Sequence, residues 1–270
     1  MGDVITDKKK IDPIVTSFVS RKRDSWRFAA LTAYDYPMGR LLDDLGLDFI
    51  LVGDSLGMVV LGHPDTTQVT LDDMVHHTRA VARGVSKTPL IADLPAHSTS
   101  SESIGVLSAR KLLEAGAKGV KAEGGEELLP VIRSILAEGI PVLGHIGMLP
   151  QRVKEEGGYR MKGKTPQQAE QLMQDALALN DAGVFGIVLE LVSPSVAEAI
   201  SQKIQVPTIG IGSGGGCDGQ ILVTYDLLGM FPWFKPRFVQ AKLDLASQIQ
   251  SAVTEFIQES RAARGEGEHG

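Results

Sequence analysis

Asp54, Asp93, Glu123, His145 and Glu190 each stand at or just before the downstream end of a short apolar run, in FILVGDS, PLIADLP, GVKAEGG, PVLGHIG and GIVLEL. In an α/β chain the carboxyl ends of parallel strands open onto one face, so residues distant in sequence converge on one cleft. Four carboxylates packed there repel one another unless a divalent cation neutralises them, and oxygen donors of this kind suit Mg2+ or Mn2+. Side chains alternate along a strand, so Lys121 points the same way as Glu123 and brings an ammonium group to the same pocket. The apolar run before Glu190 desolvates its carboxylate, as a general base working near neutrality requires. Blander readings exist: a core ion pair for Lys121, an Asx turn or helix cap for Asp54, and a hydrogen-bonded core residue for His145. Their shared place at strand ends favours function, and together they predict a metal-dependent enzyme. The adjacent His76 and His77 lack the i, i+4 spacing of a zinc pair and read as surface residues of a helix.

Those strand ends need a scaffold, and the chain alternates β-type runs with helical patterns, the signature of a parallel sheet covered by helices. Eight runs qualify: RFAALTA, DFILVGD, PLIADLP, GVKAEG, PVLGHIG, FGIVLEL, VPTIGIG and, least regular, ILVTYDL. Helical patterns lie near residues 38–45, 71–85, 102–114, 126–138, 166–181 and 195–203. Thr165-Pro166 supplies an N-cap followed by proline at the first helical position, and Gly46, Gly84, Gly116, Gly139 and Gly183 sit where helix ends want a left-handed residue. The fold class predicted is α/β, a (β/α)8 TIM barrel over residues 26–258. An N-terminal helical segment (1–25), with its helix around Pro13 to Arg23, packs outside the barrel, and residues 259–270 form a polar, flexible tail.

The 270 residues carry 27 basic and 33 acidic side chains, a net charge of -6, which leaves no electrostatic footprint for nucleic acid. Cys217 is the single cysteine, which rules out an internal disulfide, a cysteine zinc cluster and a CxxC redox pair, and suits a cytosolic (cytoplasmic) protein. No apolar stretch approaches the roughly 18 to 20 residues that span a bilayer. The opening Met-Gly-Asp-Val-Ile-Thr fits the myristoylation pattern, but the pattern is short and one acyl chain anchors only marginally. Gly210-Ile-Gly212-Ser-Gly214-Gly215 satisfies a dinucleotide fingerprint; it leads toward another strand rather than a helix, so it reads as a loop that lets substrate approach the backbone.

Several longer blocks carry a resemblance. LTAYDY (31–36), LVGDSLGMVVLGH (51–63), ADLP (92–95), VKAEGG (120–125), GIPVLGHIGMLPQ (139–151), GGYRMKGK (157–164), TIGIGSG (208–214) and DGQILVTYDLLGM (218–230) resemble the ketopantoate hydroxymethyltransferase family, in order and without large gaps. The resemblance implies a (β/α)8 barrel that moves a hydroxymethyl group from 5,10-methylenetetrahydrofolate to the 2-oxo acid 3-methyl-2-oxobutanoate. The product is 2-dehydropantoate, on the way to pantothenate, with Mg2+ as cofactor and a homodecamer as the usual assembly. It also implies that Asp54 and Asp93 bind the metal with Glu123 as the third acid, that Asp54, Ser55, Asp93 and Lys121 hold the 2-oxo acid, and that Glu190 accepts the proton. His145 would bond the same substrate oxygens. Two departures flank the barrel mouth and bear on folate affinity and loop closure. Ala96-His97-Ser98 stands where the family has an aromatic and a glycine, and the loop at Gly214-Gly215-Gly216-Cys217 is extended. The alternative is a Mg2+-dependent lyase or mutase of the phosphoenolpyruvate mutase and isocitrate lyase kind. Those enzymes carry a Lys-Lys-Cys-Gly-His loop, whereas the one cysteine here lies in Gly-Gly-Cys-Asp. A cofactor-binding module resting on the glycine loop and a catalytically silent scaffold are the remaining rivals.

Overall fold

Eight parallel strands follow one another around a closed barrel in chain order in a computed structural model, which describes residues 13–262. They are β1 (Phe28–Thr32), β2 (Phe49–Val52), β3 (Leu90–Asp93), β4 (Gly119–Glu123), β5 (Val142–Gly147), β6 (Gly186–Glu190), β7 (Thr208–Ile211) and β8 (Gly219–Leu222). The helices are α1 (Pro13–Arg23), α2 (Tyr36–Leu42), α3 (Leu56–Val59), α4 (Leu71–Ala82), α5 (Glu102–Glu114), α6 (Leu129–Ala137), α7 (Pro166–Ala182), α8 (Pro194–Lys203), α9 (Thr224–Leu227) and α10 (Leu245–Ala262). This is the (β/α)8 barrel that the alternating pattern predicts. Helix starts follow the expected chemistry: Thr165 accepts from Gln168 N ahead of Pro166, and Thr70 and Asp73 form a reciprocal capping box on α4. Gly46, Gly116, Gly139 and Gly183 have positive φ as anticipated, but Gly84 does not. A Cβ at Gly84 would stand 2.7 Å from Tyr36 O and 2.8 Å from Arg40 N, so this glycine lets the chain after α4 touch α2.

One element departs from the sequence reading and another refines it. β8 begins at Gly219, two residues ahead of the ILVTYDL run, and Thr224 to Leu227 are helical. Asp218 sets this register by accepting from the backbone N–H and the hydroxyl of Thr208, at 2.8 and 3.0 Å. A Cβ at position 219 would meet Phe28 Cβ at 2.4 Å, so the strand must start on a residue that strand propensity disfavours. Helix α1 packs outside the strands, as expected, but over the N-terminal end of the barrel, which it closes. Phe18 is buried in the core cluster with Phe28, Phe49 and Phe185, all at strand starts, and stacks on Phe28 with ring centroids 5.0 Å apart. Arg21 pairs with Asp48, and Lys22 Nζ reaches Ser201 O, Val206 O and Asp218 Oδ2 at 2.7, 2.9 and 2.9 Å.

The chain divides into two compact units, Met1–Ile221 and Leu222–Gly270. Every candidate site residue belongs to the first. Within the second, the chain before α10 folds back along α9, with Lys242 N donating to Leu227 O at 2.7 Å and Leu245 N to Leu228 O at 3.1 Å. α10 runs through Ala262, so part of the expected polar tail is helix; the myristoylation pattern and the last eight residues lie outside the described residues. Among the described residues no helix is long and apolar enough to cross a membrane.

Candidate active site

Strand register builds the site. Asp93 on β3 stands beside Lys121 on β4, Glu123 beside His145 on β5, and Gly147 beside Glu190 on β6. Because side chains two apart share a face, Lys121 and Glu123 enter one pocket, as parity predicts. Lys121 Nζ lies 3.1 Å from Asp93 Oδ1, 3.4 Å from Glu123 Oε1 and 3.1 Å from His145 Nδ1. His145 Nδ1 is also 3.3 Å from Glu123 Oε1, and its Nε2 faces Glu190 Oε2 at 3.4 Å. Asp54, in the turn after β2, receives a side-chain bond from Gln151, and its own N–H donates to Asp93 Oδ2 at 3.0 Å. Ser55 exchanges a hydrogen bond with the Tyr34 hydroxyl at 2.8 Å. Asp54, Asp93, Lys121, Glu123 and His145 are all buried, while the Glu190 side chain keeps 14% of its surface open.

Burial and crowding set the charges. Burial first, then repulsion from Glu123 and Asp93, holds the Asp54 carboxyl well above its usual range. Burial also raises Asp93, with Lys121 pulling against it. Lys121 is desolvated, yet Asp93, Glu123 and Asp54 outweigh that cost and raise its pKa, so it stays an ammonium ion and offers no free amine. Glu123 is buried too, but Lys121 and His145 pull it down to about 2. Burial and Lys121 push His145 down, and the carboxylates of Glu123 and Glu190 more than compensate, raising it to about 9. The short Lys121–His145 contact suits a neutral Nδ1 acceptor, whereas the raised value suits a second donor on that atom. His145 Nε2 is buried with no hydrogen-bond partner and faces Glu190 across 3.4 Å.

The side chains present fit a hard divalent cation. Four carboxylates meet one ammonium and one imidazole, and the buried Asp93 Oδ1 has an ion-pair partner but no hydrogen bond. Among the described residues no three His, Cys, Asp or Glu side chains stand close enough together to hold a metal ion as they are placed. Gln151 engages Asp54, Lys121 engages Asp93, and Glu123 is tied into the ammonium and imidazole contacts.

Several residues here gave no sequence signal. Gly147 has φ 103°, and a Cβ on it would stand 2.2 Å from Glu190 O, so only glycine lets β5 end against Glu190. Leu191 follows with φ 47°, a strained conformation for a branched side chain, fixed by bonds from its N–H to Ile211 O and from Lys162 N to its carbonyl. Tyr159, on the loop after β5, donates to Met58 Sδ at 3.6 Å. Burial, then Glu190, Asp54 and Glu123, keeps its hydroxyl protonated far above the usual range. His97 adopts φ 67°, which explains why a glycine suits that position, and Ser98 is buried with its hydroxyl on Pro95 O at 2.6 Å. His77 is half-buried rather than fully exposed: its Nδ1 lies 2.6 Å from Tyr34 O, behind the Tyr34–Ser55 contact, while His76 is exposed. The glycine loop runs into β8 rather than a helix, and its Ser213 hydroxyl ties Val192 N to Leu189 O at the end of β6. Cys217 is buried with a raised thiol pKa, for which burial is the main cause.

The chain is similar to known proteins along most of its length. The family model described as "Ketopantoate hydroxymethyltransferase" matches residues 14–264. The 3-methyl-2-oxobutanoate hydroxymethyltransferase of Acetivibrio thermocellus is 47% identical over 90% of this chain and 87% of its own length. Those of a Thermus thermophilus strain and of Ignicoccus hospitalis are each 46% identical, covering 92% and 94% of this chain and 95% and 97% of theirs. Among solved structures, a putative phosphonomutase from Burkholderia cenocepacia superposes with TM-score 0.62 at 13% identity, over 91% of this chain and 99% of its own. Phosphonopyruvate hydrolase, solved with oxalate and Mg2+, gives 0.58 at 14%, over 94% and 99%. At such identities these two share the fold alone.

Proposed function

The chain belongs to the ketopantoate hydroxymethyltransferase family, and on that premise we propose how its own residues carry out the transfer. It is a transferase, and we read its substrate as 3-methyl-2-oxobutanoate, its one-carbon donor as 5,10-methylenetetrahydrofolate and its product as 2-dehydropantoate. The observation that carries this reading is the buried Asp54–Asp93–Lys121–Glu123–His145–Glu190 constellation at one end of the barrel.

Asp54 and Asp93, with Glu123 as the third acid, would hold Mg2+, which supplies Lewis-acid polarisation of the keto and carboxylate oxygens of a 2-oxo acid. Ser55, oriented by Tyr34, and Lys121 hold the substrate beside these acids. Glu190 takes the proton from C3. It is the most open of the carboxylates, and the buried His145 faces it at 3.4 Å. Lys121, permanently charged, offsets the negative charge that develops on the 2-oxo acid as that proton leaves. The methylene carbon exchanges both of its bonds to folate nitrogens for one bond to C3 and one to the oxygen of water, and the C3 proton and one water proton end on the two freed nitrogens. A homodecamer in the cytosol remains our reading of the assembly, supported by Ile249, Val253, Phe256 and Ile257, which are exposed at helical spacing on α10.

The fold relatives keep the lyase and mutase chemistry in view as a rival. Cys217 is buried at the start of β8, away from the acids, and gives that rival no thiol at the mouth. Tetrahydrofolate-dependent conversion of 3-methyl-2-oxobutanoate, with and without Mg2+, tests the proposal. Turnover that ignores either reagent, or cleavage of phosphonopyruvate or oxaloacetate in its place, would overturn it.

A further inference from the structure

We propose that Gln151 is a positioning residue that fixes the carboxylates of Asp54 and Glu123 in their cation-binding arrangement; this deepens the metal reading above and rests on it. Gln151 lies in the 3-10 turn Pro150–Arg152, just after β5. Its Nε2 donates to Asp54 Oδ2 at 2.8 Å and to Leu94 O at 2.9 Å, and its backbone N–H donates to Glu123 Oε2 at 3.2 Å. Both side-chain partners are acceptors, so only the amide nitrogen can face them, and the amide orientation follows from chemistry alone. One residue thereby joins the ends of β2, β3 and β4.

The need for such a clamp follows from the charges. Asp54 and Glu123 repel each other, and Lys121 bonds Asp93 and Glu123 but makes no bond to Asp54. Gln151 is the neutral donor that engages both acids, gripping one oxygen of each so that the two carboxylates keep a fixed separation and orientation. Partners that orient metal ligands typically change metal affinity or activity by about 10–100-fold when removed. Gln151 also begins the segment that carries Tyr159 to the mouth, so a mere loop-fastening role must be told apart from a carboxylate-setting one. Lys154 provides the control. It fastens the same segment through Thr67 Oγ1 at 2.9 Å and Asp65 Oδ2 at 3.3 Å, and touches none of the acids.

The test is calorimetric titration of the full-length protein with Mg2+ alone, no substrate present, beside thermal unfolding of each variant. Gln151→Met keeps length, bulk and the backbone N–H to Glu123 but loses the side-chain donor to Asp54, and should bind Mg2+ about 10–100-fold more weakly while unfolding near the wild-type temperature. Lys154→Met should bind it as the wild type does. If Gln151→Met fails to fold, Gln151→Asn, whose amide falls one methylene short of Asp54 and Leu94, should show the same direction of loss. Unchanged affinity in the Gln151 variants, or an equal loss in Lys154→Met, overturns the clamp and leaves the metal reading standing. A wild-type protein that takes up no Mg2+ overturns the metal reading, and the clamp with it.

Discussion

Replacing Glu190 by glutamine separates proton abstraction from every other duty of the site. The amide keeps the size of the carboxylate at the end of β6, where residue 190 pairs in register with Gly147 and Ile211. What it loses is the charge at one 3.4 Å contact to the buried His145, and an amide there can still hydrogen-bond the ring nitrogen. Folding, metal uptake and 2-oxo acid affinity should therefore stay near wild type. Loss of a positioned general base costs roughly 10² to 10⁴ in rate, which at about 1.36 kcal/mol per decade adds about 2.7 to 5.4 kcal/mol to the barrier. The step can be watched alone. With Mg2+ and no folate, wild-type protein in D2O should exchange the C3 proton of 3-methyl-2-oxobutanoate, and the decay of that proton NMR signal gives the rate. Glu190→Gln should slow the decay by the stated factor. Exchange at the wild-type rate would refute the assignment and return the proton to another group, with His145 the next to test.

Lys121→Met leaves the buried Asp93 and Glu123 without their cation and should destabilise the protein by about 3 to 5 kcal/mol in chemical unfolding; an unchanged midpoint would mean the acids are already protonated. Asp54→Asn should abolish calorimetric Mg2+ binding yet raise the melting temperature of the metal-free protein, because it removes a carboxylate that burial, Glu123 and Asp93 all disfavour. Asp43→Ala should cost about 3 kcal/mol, since the buried carboxylate accepts from Ser86, Lys87 and Thr88 backbone N–H groups. Burial acts upward on Asp43, but those donors hold its pKa well below 3.8, so its stabilisation is full above that value and is lost as pH falls below it. Urea midpoints measured from neutral to acidic pH should accordingly fall less steeply in the variant. His97→Gly should stabilise by about 1 kcal/mol by relieving the left-handed backbone; a loss of stability would show that the imidazole itself holds the loop.

The acids and the lysine were legible because each combined a chemically costly residue with a strand end, and a period of two is enough to place Lys121 and Glu123 on one face. The start of α7 was legible from capping chemistry, where Thr165 precedes Pro166 and accepts from Gln168 N. Other features carried no local mark. Gln151 is an ordinary polar residue until β5 and the turn after it bring its amide to Asp54, 97 positions away in the chain. His77 reads as solvated from its own helix and becomes an internal partner only because Tyr34 O packs against it. Local propensity misplaced β8, because a long-range bond from Thr208 to Asp218 and the closeness of Phe28 outweigh it.

By itself the sequence determined the barrel, its order of strands and the set of groups at their ends, since alternation, capping and the cost of burying charge are written residue by residue. Only the tertiary structure decided which of those groups touch. The register of Asp93 on Lys121 and of Glu123 on His145 fixes where the positive charges sit. The closing of the N-terminal face by Phe18 and the left-handed turn at Leu191 were decided there as well. Each depends on distances of a few ångströms between segments far apart along the chain, and packing sets those distances only once the whole barrel has closed.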